Sequence, residues 1–68
     1  MAEPIVELVD EQGMLLRDAG GFYLKRDSGG IWRLELARTP VDLVEKRVRL
    51  IGERIGEALV QAEGVQPA

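Results

Sequence analysis

The chain has 68 residues, with 46% hydrophobic and 31% charged side chains, a net charge of −3, and no Cys and no His. A chain this short forms one domain that buries only about 60% of the surface its unfolded form exposes, so its stability margin is thin. The missing Cys and His exclude disulfides, thiolate metal sites, thiol nucleophiles and the commonest general base.

Residues 1–4 read as a loose tail ahead of a single domain over 5–66. The opening MAEPIVELVDEQG has no basic segment followed by an apolar core. No apolar run approaches the roughly 18 residues of a membrane helix, so the expectation is a cytoplasmic protein with no membrane partner. Charge is unevenly placed: all nine cations lie between Arg17 and Arg54, together with six acids, while both flanks carry acids only. The acidic whole argues against strong non-specific polyanion binding, and the cationic middle allows a local basic patch.

The first strand is expected over 5–17, where Val6, Leu8, Met14 and Leu16 alternate with polar residues. Gly13 should break or bend it, as Gly inside a strand pattern marks a bulge or a corner. Asp18-Ala19-Gly20-Gly21 is the first turn. Phe22–Arg26 and Ile31–Leu36 then form a hairpin around the turn residues Asp27-Ser28-Gly29-Gly30. Phe22, Leu24, Trp32, Leu34 and Leu36 fall on its buried face, and Tyr23, Lys25, Ile31, Arg33 and Glu35 on the other. Trp32 belongs to the core, and its indole N–H then needs an acceptor.

Thr39, Pro40 and Asp42 make a helix-start signal, predicting one to two turns to about Lys46. From Arg47 two readings compete. Alternation predicts a strand over Arg47–Ile51 ended by Gly52, a turn near Gly56, and a fifth strand over Ala58–Val65 with Val60, Ala62 and Val65 inward. Alternatively, Val41, Val44, Val48, Ile51, Ile55, Ala58 and Ala62 keep a heptad seam, which would make 41–62 a self-associating helix. Two interior glycines at about 1 kcal/mol each weigh against that helix. An isolated hairpin is also marginal and needs more sheet.

The resulting order is strand, strand, strand, short helix, strand, strand: mainly β, a small five-stranded OB-like Greek-key barrel with one short helix between strands three and four. Three runs carry a resemblance: Gly20–Leu24, then Asp27–Leu34, then Lys46–Gly52, followed by the closing strand. On these the chain resembles an uncharacterised family of small bacterial OB-fold-like domains. Glu45 departs from that pattern, which has Gly before the Lys-Arg pair. The resemblance implies a fold and no activity.

No paired carboxylates, metal-ligand spacing or phosphate-loop motif are present, and Ser28 has no His to activate it. The expectation is a non-catalytic binding or adaptor module, a monomer or weak dimer, without cofactor or metal. Its ligand would be an unknown protein or an oligomeric ligand such as a sugar. The expected ligand face is Tyr23, Lys25, Ile31 and Arg33, extended by Arg47, Arg49 and Arg54. One aromatic among cations is also a minimal stacking-plus-phosphate set, so single-stranded nucleic acid is the alternative ligand. A solvated face with cross-strand charge pairs, Lys25 opposite Glu35, is the plain structural reading of the same residues.

Overall fold

The computed structural model describes residues 6–68. The expected tail at 1–4 and the first residue of the expected domain lie outside that span. Five strands form one sheet: β1 (Glu7–Asp18), β2 (Gly21–Arg26), β3 (Ile31–Glu35), β4 (Arg47–Arg54) and β5 (Leu59–Pro67). Their order is β1-β2-β3-β5-β4, and β1 pairs β4, so the sheet closes on itself in a ring. All pairings are antiparallel except β3 with β5. The long helix over 41–62 does not form. Its seam residues are scattered over a 3-10 turn (Val41), two strands (Val48, Ile51 and Ala62) and the connections between them (Val44, Ile55 and Ala58).

β1 is the element that closes the ring. Its first part pairs β4 from Glu7↔Arg54 to Met14↔Arg47, and its second pairs β2 from Gly13↔Arg26 to Asp18↔Gly21. Gly13 sits where the two ladders overlap. The strand runs through it unbroken, which corrects the expected break. A Cβ there would collide with the backbone oxygen of Lys25. The buried residues of β1, Val9, Gly13 and Leu15, all fall on its inward phase, whereas Leu8 is 78% exposed. The apolar alternation of Val6, Leu8, Met14 and Leu16 therefore marked the outer phase.

The core is Val9, Leu15, Leu24, Val48, Leu50 and Val60, with Phe22, Trp32, Leu34, Leu43, Ala62 and Val65 packed against it. Trp32 lies on the inward phase but is only half-buried, less enclosed than a core tryptophan. Leu36 falls beyond the end of β3.

The connection to β4 holds a single 3-10 turn, Val41–Leu43, shorter than the predicted helix. Thr39 makes no side-chain cap, and the turn is closed by Leu43 N–H donating to the Pro40 carbonyl at 3.0 Å. β4 does not stop at Gly52. A bulge between Ile51 and Gly52 leaves Glu63 of β5 without an opposite residue and carries the strand on to Arg54. The extra residue explains why the inward residues of β5 step by two from Val60 to Ala62 and by three to Val65. Gly29 and Gly30 adopt φ 105° and 77°, as a hairpin loop of this kind requires. No helix among the described residues is long and apolar enough to cross a membrane.

Candidate functional site

The β2–β3 register places Tyr23 opposite Arg33 and Lys25 opposite Ile31. These four expected site residues share the outward face of the hairpin. The Arg33 guanidinium lies over the Tyr23 ring at 5.2 Å from its centroid. It also grips Asp18 with both terminal nitrogens, at 2.9 and 2.7 Å, while Asp18 accepts the Gly20 N–H at 2.8 Å. The opposition of Lys25 and Glu35 does not occur, because the register gives Lys25 to Ile31.

The other three expected residues are not added to this face in one way. Arg47 lies on the same outer surface, joined through Met14, which pairs Lys25 on one side and Arg47 on the other. Its guanidinium holds Asp27 bidentately at 2.9 and 2.5 Å. Arg49, one outward step along β4, holds Asp10 at 2.8 and 2.6 Å. Arg54 belongs elsewhere: it is on the inward phase, at one open end of the ring.

Bidentate hydrogen bonding to Arg49, Arg33 and Arg47 holds the carboxyls of Asp10, Asp18 and Asp27 below their usual range. The same bonds raise the three arginines above theirs. Each guanidinium fork is thus occupied at neutral pH, and a phosphate would have to displace a carboxylate to use it. These pairs are exposed, so their worth to folding is small, but they offset the charge of Arg33, Arg47 and Arg49 and leave Lys25 as the unpaired cation of this face among the described residues.

The end of the ring bearing Arg54 holds a cluster that the alternation of β1 concealed. Glu11 sits on the inward phase, with one carboxylate oxygen accepting from Arg26 Nε at 2.8 Å and Ser28 Oγ at 3.3 Å. The other accepts the Trp32 indole N–H at 2.6 Å. Arg26 lies 4.8 Å and Arg54 5.9 Å from the Trp32 ring centroid. Arg54 is fixed by Glu7 at 3.1 Å and by the carbonyls of Gly56 and Glu57. Partial burial raises the Glu11 pKa, but the bonds from Trp32, Arg26 and Ser28 outweigh it and leave the carboxyl below its ordinary value. The sequence carried one signal for this cluster: Asp10 and Glu11 are adjacent in a strand, so one acid must face inward.

Among the described residues, no group of three His, Cys, Asp or Glu is arranged to hold a metal ion. A family model described as a protein of unknown function (DUF5818) matches residues 12–68. The chain belongs to the DUF5818 family. The expected kinship with an uncharacterised family therefore holds. The DUF5818 match contains the whole β2–β3 hairpin and begins one residue after Glu11. Neither the curated proteins nor the solved structures contain a match to the chain.

Proposed function

We propose that this DUF5818 protein is a small, non-catalytic, OB-like binding or adaptor module of the bacterial cytoplasm, with its ligand face on the outside of β2 and β3. The OB-like reading is supported by the strand order β1-β2-β3-β5-β4 and the parallel pairing of β3 with β5. In OB-folds the face of the second and third strands carries the ligand. The observation that carries the reading is the Tyr23–Arg33 stack beside Lys25 and Ile31, an aromatic, an aliphatic and two cations on one outward surface.

A protein surface or a sugar suits this face better than nucleic acid does. Arg33, Arg47 and Arg49 are each neutralised by a bidentate aspartate. Single-stranded nucleic acid binding needs free cations along the backbone and several stacking rings, and here one ring is exposed to this surface.

Backbone NMR titration tests the reading with three probes: maltohexaose, a mixed pool of short peptides, and a mixed-sequence single-stranded oligonucleotide. Shifts at Tyr23, Lys25, Ile31 and Arg33 with either of the first two, persisting at high salt, are the expected result. Shifts on this face with the oligonucleotide that vanish as salt rises would replace the reading with nucleic-acid binding. No shift on this face with any probe counts against it as the site.

A further inference from the structure

β5 continues well past the end of β3. The parallel ladder stops at Glu35↔Gln61, while β5 runs on to Pro67 paired only with β4. Along residues 62–67, the backbone groups on the flank away from β4 face no neighbouring strand. The alternation of an antiparallel ladder turns about half of the N–H and C=O groups toward that flank. An unpaired edge of this kind is a template for one more strand.

The edge is not open on all sides. It forms one wall of a groove of about 270 Å³, whose other wall is Leu36, Ala37, Arg38 and Pro40. A second hollow of about 190 Å³ adjoins it where β3 ends. The chain between β3 and β4 folds only a three-residue 3-10 turn, Val41–Leu43. Glu63 lines the groove and Glu35 the adjoining hollow, both exposed, and neither makes an ion pair among the described residues. Ala62 and Val65 line its inner side, packed against the core.

We propose that this flank of β5 takes up one extended peptide strand, with apolar side chains turned inward and a basic side chain turned out toward Glu35 and Glu63. The unpaired backbone requires a β-strand as the occupant. The wall at Leu36–Pro40 stands beside that edge, which suits a lone strand better than the closed sheet of a second copy. The two carboxylates select a basic side chain. This surface is separate from the outer face of β2 and β3, so either can fail without the other.

The probe is acetyl-Val-Lys-Val-Lys-Val-amide, followed by backbone NMR shifts and amide exchange. The expected result is slowed exchange at residues 62–67, with shifts there and along the facing wall at Leu36–Pro40. The response should be lost when alternate peptide amides are N-methylated, and weakened severalfold when the two Lys are replaced by Glu. Ala37→Trp, at an exposed position, should block uptake. Glu63→Lys should reverse the preference between the Lys and Glu peptides while the free spectrum stays folded. No response at 62–67, an equal response to the N-methylated peptide, or shifts that follow protein concentration without peptide would each overturn the proposal, the last in favour of a second copy.

Discussion

The Trp32 indole N–H donates to Glu11 Oε2 across 2.6 Å, and the other oxygen of the same carboxylate holds Arg26 at 2.8 Å. One acid thus ties β1 to both strands of the hairpin. Glu11→Ala leaves a half-buried indole N–H and guanidinium without their acceptor, which costs about 1–3 kcal/mol. Against a total of roughly 3–10 kcal/mol for a domain of this size, that is a large share. Urea unfolding followed by Trp32 fluorescence should show a lower midpoint for Glu11→Ala and a smaller drop for Glu11→Gln. An unchanged midpoint would mean the bond contributes nothing.

Glu45 has φ 66°, and among the described residues every other positive φ belongs to a glycine. Its N–H donates to the Leu15 carbonyl at 2.7 Å, which fixes the backbone there. A left-handed conformation costs an L-residue about 1–2 kcal/mol, part of which Gly returns through its freer unfolded chain. Glu45→Gly should therefore stabilise the domain by about 0.5–1 kcal/mol, a rise of a few degrees in Tm. A fall in Tm on calorimetry would show that the Glu45 side chain contributes more than the strain removes.

Acid should unfold the protein in a defined direction. Asp10, Glu11, Asp18 and Asp27 all have folded pKa values below the ordinary one. A group depressed in this way binds protons more readily when unfolded, so its contribution is present above the ordinary pKa and is lost as pH falls through the folded value. Thermal melts should give a Tm that is flat near neutrality and drops below about pH 4.5, the ordinary value for Glu. Glu11→Gln should flatten part of that drop. A Tm that rises on acidification would contradict the ion pairs.

Gly52 lies on the inward phase of β4, where a Cβ would collide with the Gln61 backbone oxygen and press on Val60 Cγ1 at 2.8 Å. Neither the ladder nor the buried Val60 can move aside cheaply. Gly52→Ala should cost about 3 kcal/mol, at the upper end of ordinary overpacking, and should lower Tm by well over 10 °C at the usual scaling for small domains. Gly64→Ala, which meets no atom within 4 Å, is the matched control and should change Tm little.

The β2–β3 hairpin was legible because turn residues and strict alternation agree over Phe22–Glu35. The inward set of β5 was legible for the same reason, although the step from Ala62 to Val65 needed the bulge to explain it. β1 misled because its outer phase carries Leu8, Met14 and Leu16, with Val6 just ahead of the strand in step with them, whereas its inner phase interleaves Val9 and Leu15 with Glu7, Glu11 and Gly13. Period-two patterning reports which phase is apolar, not which phase is buried. Placing Arg54 with the surface cations failed for a different reason: the expected strand ends at Gly52, whereas β4 runs on to Arg54 with its alternation unbroken, which puts Arg54 on the inward phase with Val48, Leu50 and Gly52. That this face carries cross-strand charge pairs was the plain reading of the sequence, but which aspartate holds Arg33, Arg47 or Arg49 was not legible. Arg49 and Asp10 are 39 positions apart, and only the β1–β4 register brings them together.

The double pairing of β1 also sets an order in time. Its second half meets β2 through a two-residue turn, a contact the chain can make within microseconds. Its first half meets β4 at partners as distant as Glu7 and Arg54, 47 positions apart, and these must wait until the intervening chain has been gathered in. Refolding of a ring closed in this way should therefore run on the millisecond-to-second scale of non-local β topologies. The β1–β2–β3 meander would stand ready as the surface on which β4 and β5 dock.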